Sequence, residues 1–175
     1  MDNQNIDISI VIISWKMKEL LQSCLRSIYK YTSDVNLEII VIDNNSQDGT
    51  SEMIKNEFPE IILIKNKENR GVAPARNQGM AIAKGNYVLI LDADVELIEN
   101  SILKLYEFME SNPGCGIVGS KLVSTERQLQ FSCKRFPNLL SFIFRRLEHF
   151  NVIKNSNTLR YHTMQDWDHK EVKEV

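Results

Sequence analysis

Cysteine is scarce in this chain. Cys24, Cys115 and Cys133 form no C-x-x-C pair and leave an odd one over. A disulfide framework or thiolate zinc site is not expected, and a reducing cytosol is the simplest setting. Charge of one sign is lacking too: the formal net charge is −2, so no global field favours nucleic acid or an anionic membrane. No apolar run approaches the ~20 residues of a membrane span. The opening MDNQNIDIS is polar and acidic, without the basic start and apolar stretch of a signal peptide. The chain has no internal repeat, no low-complexity linker, no G-x-x-x-x-G-K-[ST] and no G-x-G-x-x-G, so neither a P-loop nor a dinucleotide fingerprint is supported. His149, His162 and His169 show no metal-ligand spacing and read as surface residues.

What is present suits one globular domain with a real core: 175 residues, 43% hydrophobic and 25% charged. Apolar runs at Ile8–Ile13, Leu37–Ile42, Ile61–Lys65 and Tyr87–Leu91 predict buried strands. Between them, Lys16–Tyr31 carries a helical stripe at Leu20, Leu21, Cys24, Leu25 and Ile28. Thr50–Glu57 and a segment from Val72 or Ala73 to about Lys84 also predict helices, the latter with Pro74 early and Gly85 as its C′ residue. Ser101–Glu110 predicts a further helix, and Cys115–Gly119 a short strand. The alternation implies a mostly parallel, Rossmann-like α/β sheet with helices on both faces. Past Lys121 the pattern weakens. Leu122-Val123 and Gln128–Phe131 suggest a β-ribbon, and Asn138–Phe150 is apolar or amphipathic. Lys134, Arg135, Arg145 and Arg146 flank that run, which reads as a core helix with a solvated basic edge. The functional alternative is a surface for a lipid-linked acceptor or the membrane interface. Asn151–Val175 is polar.

The chemistry gathers at strand ends. YVLILDADVEL, from Tyr87 to Leu97, runs from a strand expected to be buried on both faces into Asp92, Asp94 and Glu96. Residues i and i+2 of a strand share a face, so Asp92 and Asp94 are expected to aim together at the carboxyl edge, where open α/β sheets bind ligands. Two such carboxylates suit magnesium or manganese bridging a diphosphate. Asp43 ends the second strand and reads either as a turn former or as an acceptor for a nucleobase or ribose. Asp48 reads first as a helix N-cap. Arg70, Gly71 and Arg76 surround a helix start that attracts anions.

Taken in order, SIVIISW, VIDNNSQDGT, NRGVAPARNQG, LDADVEL, GIVGSKLV and QFSCKRFPNLLSF resemble the family 2 glycosyltransferases of GT-A fold, with the closest likeness to rhamnosyltransferase-like members. The resemblance covers almost the whole chain. It implies a single glycosyltransferase domain over 1–175, with 1–120 the nucleotide-sugar-binding half and 121–175 the start of the acceptor half. It further implies that Ser14 and Trp15 border the pocket and that Asp43 binds a uracil or thymine base. Asp48 would organise that pocket, with Gly71 and Arg76 beside the nucleotide. Asp92 would contact ribose or sugar, and Asp94 would hold Mg2+ or Mn2+. The implied reaction is an inverting, metal-dependent transfer from a UDP- or dTDP-sugar to a polysaccharide or lipid-linked acceptor. The setting is cytoplasmic, including the inner face of the plasma membrane, with peripheral membrane contact and an oligomer allowed and no nucleic-acid partner. Lys16 departs from the family, which often has Asn there. MQDWDHKEVKEV resembles the segment just before the family's Asp-Trp and Gly-Ala stretch, beyond which lies the acidic catalytic base. Nothing matches Asp166, Asp168 or Glu171 to that base, so the catalytic residue stays unassigned and the chain is expected to be truncated at the C-terminus or completed by a partner. A nucleotide-sugar-binding module without turnover is the alternative. A nucleotidyltransferase is disfavoured because SWKMKELLQ lacks a glycine-rich loop.

Overall fold

The computed structural model describes residues 5–146, 156–168 and 171–173. The chain divides into two compact units, Met1–Val118 and Gly119–Val175.

The first unit alternates strand and helix: β1 (Ile8–Ser14), α1 (Lys18–Tyr31), β2 (Leu37–Asp43), α2 (Thr50–Glu57), β3 (Ile62–Lys65), α3 (Val72–Ile82), β4 (Tyr87–Asp92) and α4 (Ser101–Ser111). The four strands are parallel in the order β3-β2-β1-β4. β1 and β2 are rich in β-branched residues and sit in the middle of the sheet, where such side chains pack best. Two apolar clusters form. One joins Ile10, Ile12 and Val41 to Leu21, Leu25 and Ile28 of α1, Ile54 of α2 and Ile102 of α4. The other joins Val11, Ile40 and Ile42 to Ala75 of α3. The mostly parallel α/β sheet with helices on both faces is therefore as expected.

Several details differ. β4 is not buried on both faces: it ends the sheet, and Val88 and Ile90 are 42% and 37% exposed. Leu20 lies outside the buried stripe of α1, at 48% exposure. α3 stops at Ile82 because Ala83 is already extended. Gly85 is not a left-handed cap. A Cβ there would lie 2.5 Å from the Ser9 amide nitrogen, so close backbone approach, not turn geometry, demands glycine. No strand forms over 115–119; Asn112-Pro113-Gly114 leads into irregular chain with Ile117 92% exposed.

The second unit contains a two-residue-per-strand antiparallel ribbon, β5 (Leu122–Val123) with β6 (Leu129–Gln130), then α5 (Leu139–Arg146) and α6 (Asn157–His162). α5 packs against α6, yet Leu139 and Phe142 of α5 are 76% and 67% exposed, so a fully covered core helix is not what forms. The segment expected to be merely polar buries Leu159, Met164 and His162. His162 is thus no surface residue. Arg135 pairs with both carboxylate oxygens of Asp166, at 2.7 and 2.9 Å. Leu147, Phe150, His149 and His169 lie outside the described residues, as do the side chains of Leu140, Phe144 and Arg145.

Candidate functional site

Strand register assembles the site. Ser14 lies level with Asp43, Asp43 with Lys65, and Ile13 with Asp92, so all four strands finish along one edge. Side chains leaving those ends face the crevice that open α/β sheets use for ligands.

On the β1–β2 side, Asp43 is 1% exposed and locks its own loop. Its Oδ1 accepts from the Ser46 amide at 2.8 Å, and its Oδ2 accepts from the Ser51 hydroxyl of α2. The Ser46 hydroxyl accepts from the Lys16 amide at 3.1 Å, stitching the loop after β1 to the loop after β2. Ser14 is fully buried, and its hydroxyl has no partner among the described residues. Trp15 stands 49% exposed beside it. Backbone here is left-handed at Lys16 (φ 57°), Asn45 (φ 66°), Gln47 (φ 56°) and Gly49 (φ 86°). Lys16 holds this conformation although Asn would adopt it at less cost.

Asp48 is not the N-cap of α2; Gly49 occupies that position. Asp48 lies one residue earlier and accepts from the Thr50 amide at 3.0 Å and hydroxyl at 2.6 Å, and from the Lys18 amide at 3.3 Å. Partial desolvation pushes its carboxyl pKa up, but those hydrogen bonds together win and hold it below the usual aspartate value. One carboxylate so ties the starts of α1 and α2 together.

On the β4 side, Arg76 of α3 donates to Asp92 Oδ1 at 2.7 Å. Asp94 does not continue the strand. It sits in a turn closed by the Val95 amide on the Asp92 carbonyl at 3.2 Å, so the shared-face argument gives way to turn geometry. Both carboxylates are exposed. Asp92 is balanced by Arg76, whereas the charges of Asp94 and Glu96 reach the buried Cys24 thiol. Burial first, then those two carboxylates, push the thiol up to about 12. Among the described residues no group of three His, Cys, Asp or Glu side chains converges as a ready-made metal cage. Gly71 precedes α3 with φ 80°, and a Cβ there would meet nothing within 4 Å. The positive φ calls for glycine, and its outer side is open.

The structure therefore brings Ser14, Asp43 and Asp48 into one bonded loop system and Arg76 onto Asp92. It also shows polar residues that the sequence reading passed over. Asn44, Ser46, Ser51 and Asn66 are all at least nine-tenths buried: Asn44 and Asn66 directly follow β2 and β3, Ser46 lies in the loop after β2 and Ser51 in the first turn of α2. The signal for Asn44 and Asn66 was a polar residue directly after an apolar strand.

The architecture is that of the GT-A glycosyltransferases. TarS from S. aureus, residues 1–349 in complex with UDP, superposes with a TM-score of 0.57 at 16% identity, covering 70% of this chain and 43% of that one. A mannosyltransferase from Pyrobaculum calidifontis, in complex with GDP-Man and Mn2+, gives 0.57 at 24% identity, over 70% of this chain and 37% of that one.

The sequence places the chain more narrowly. Residues 9–165 match the profile described as Glycosyl transferase family 2, and the chain belongs to that family. It is 33% identical over 122 residues to the uncharacterized glycosyltransferase YfnE of Bacillus subtilis, covering 66% of this chain and 31% of that protein. It is 36% identical over 105 residues to the Escherichia coli UDP-Glc:alpha-D-GlcNAc-diphosphoundecaprenol beta-1,3-glucosyltransferase WfaP, covering 59% of this chain and 41% of that one. The chain thus spans less than half the length of either relative.

Proposed function

We propose that this chain provides the nucleotide-sugar-binding part of an inverting, metal-dependent glycosyltransferase. It moves a hexosyl or rhamnosyl unit from a UDP- or dTDP-sugar to a polysaccharide or lipid-linked acceptor. The observation that carries this reading is the single sheet edge on which Ser14, Asp43 and Asp92 end together, with Arg76 on Asp92 and Asp94 one turn away. Asp43 keeps lone pairs for a base N–H beyond the two bonds it accepts. Arg76 offers a guanidinium that can exchange Asp92 for a diphosphate oxygen. Trp15 and Gly71 leave open surface for base and pyrophosphate.

The residues fit a hard divalent cation in part. No side-chain hydrogen bond or ion pair falls on Asp94 among the described residues, and its charge is uncompensated, which suits one carboxylate ligand completed by substrate oxygens. Asp94 would hold Mg2+ or Mn2+, which neutralises charge on a diphosphate leaving group when bound. The relatives support the substrate classes by name, with UDP-Glc and a diphosphoundecaprenol acceptor for WfaP and Mn2+ with GDP-Man for the Pyrobaculum enzyme. A cytoplasmic place at the inner membrane face follows from such an acceptor. The exposed Leu139, Phe142 and Ile143, with exposed Lys134 and Arg146 nearby, support peripheral contact there. Among the described residues no helix is long and apolar enough to cross a membrane.

Calorimetric titration with UDP- and dTDP-sugars in the presence of Mn2+ tests the reading. Binding that disappears in Asp94→Ala is expected. Heat that is absent, or unchanged by that substitution, overturns it. A second reading, binding without turnover, is favoured by Asp166, whose carboxylate is occupied by Arg135 and so is not free as a base. Sugar transfer by the purified chain alone would exclude that alternative.

A further inference from the structure

Four carboxamides form a closed lattice beside the site. Asn44 directly follows β2, and Asn66 directly follows β3. The Asn66 amide nitrogen Nδ2 donates to Asn44 Oδ1 at 3.0 Å and to Gln78 Oε1 at 2.9 Å, while Gln78 Nε2 donates back to Asn66 Oδ1 at 3.0 Å. Asn44 Nδ2 donates to Asn69 Oδ1 at 2.7 Å, and Asn44 Oδ1 also accepts from the Arg70 backbone amide at 3.0 Å. Asn69 Oδ1 accepts from the Gly71 amide at 2.9 Å. The Asn66 backbone amide completes the frame on the Asp43 carbonyl at 2.9 Å. Asn44 is 2% and Asn66 7% exposed, so the bond between them forms away from bulk water, where a broken partner is costly, while Asn69 and Gln78 carry the lattice out toward the surface.

We propose that Asn44, Asn66, Asn69 and Gln78 are positioning residues. They set the Arg70–Gly71 backbone and, through α3, the Arg76 guanidinium for the diphosphate of the donor. This rests on the nucleotide-sugar reading above. Gln78 lies two residues after Arg76, about 200° around the helix. Fixing Gln78 against the sheet therefore fixes the direction in which Arg76 projects on the other side. The chemistry of the lattice matches that task. A carboxamide carries donor and acceptor on one group, so it closes the network without charge. A carboxylate here would compete for the cation, and a lysine would compete for the phosphate.

The test is calorimetric titration of UDP with Mn2+ into four forms of the full chain: wild type, Gln78→Ala, Arg76→Ala and the double variant. Gln78→Ala is expected to weaken UDP about tenfold, and to add little once Arg76 is gone, because it acts through that side chain. Asn69→Ala, at an exposed loop position, gives a second variant whose folding is not at stake and is expected to weaken UDP in the same direction. A merely structural role would lower thermal stability with UDP affinity intact well below the transition, and that result overturns the proposal. So does full additivity of Gln78→Ala with Arg76→Ala. A wild-type chain that binds neither UDP nor dTDP overturns the nucleotide reading itself; wild-type binding left unchanged in Gln78→Ala and Asn69→Ala overturns the clamp alone.

Discussion

Gly79→Ala is a sharp probe of how α3 is seated. α3 packs on β1 and β2, and Gly79 faces Val11 and Ile42 in that contact. A Cβ at position 79 would lie 2.4 Å from Val11 Cγ1 and 2.8 Å from Ile42 Cδ1. Carbon atoms rest at about 3.5–4.0 Å, so the methyl lacks roughly an ångström of room on two sides. Val11 and Ile42 are both fully buried, and both are β-branched, with little rotamer freedom to yield. Two terms oppose each other. Alanine in a helix interior gains about 1 kcal/mol over glycine. Overpacking a filled core costs about 1–3 kcal/mol, and two simultaneous clashes place this site at or above the top of that range. The expected net is a loss of about 2 kcal/mol or more, a fall of at least roughly 4–8 °C in the melting temperature of a chain this long. Thermal unfolding followed by circular dichroism reads it directly. Val11→Ala should restore room, so the double variant Val11→Ala/Gly79→Ala is expected to be less unstable than the sum of the singles. A melting temperature equal to wild type or higher for Gly79→Ala would show that helix propensity decides and that the close contact is not limiting.

Other expectations follow from the same geometry. Lys16→Asn should stabilise by about 0.5–1 kcal/mol, since the left-handed backbone at φ 57° suits Asn better than Lys; chemical denaturation with no gain in midpoint would refute it. The Cys24 thiol, buried and pushed up to about 12, should resist a thiol reagent at pH 8 while the chain is folded and react once denaturant is added. Labelling of Cys24 at the rate of a free thiol under native conditions would contradict this. Asp48 has a folded pKa below its ordinary value of 3.8. Its contribution to stability is therefore full above that value and is lost as the pH falls through the lower folded pKa. Asp48→Asn should flatten the acid limb of a stability-against-pH curve, and an acid limb identical to wild type would count against the role.

Much of the fold was legible in the sequence because the central strands are so uniform. ISIVII and LEIIVI admit no amphipathic helix, and the helices between them carry clear stripes. Gly85 shows the limit. Its position after α3 fits a helix stop, but only the packed structure reveals that Ser9 leaves no space for a Cβ. β4 misled for a related reason: an all-apolar strand at the end of a sheet has the same composition as one in the middle. The Cys115–Gly119 run failed as a strand because a short run flanked by glycine gains pairing only from a neighbour. At the site, Asp43 and Asp92 could be placed on one edge from strand ends, and Arg76 beside them from a helix start. Their bonding could not. The Asp92–Arg76 pair, the turn that carries Asp94 and the amide lattice all depend on loop conformations, and the loop that Asp43 locks rests on left-handed backbone at Asn45 and Gln47.

The strand order has a dynamic consequence. Among the described residues β1 and β2 are each paired on both sides, and β4 on one side. Opening free energies in a sheet rise toward strands with buried, doubly paired backbone. Backbone amides of β1 and β2 should therefore exchange with solvent most slowly, and those of β4 sooner. Asp43 rides on the slow pair and Asp92 on the fast strand. The two walls of one cleft thus keep different clocks, with the wall that carries Asp43 set and the acidic wall free to breathe.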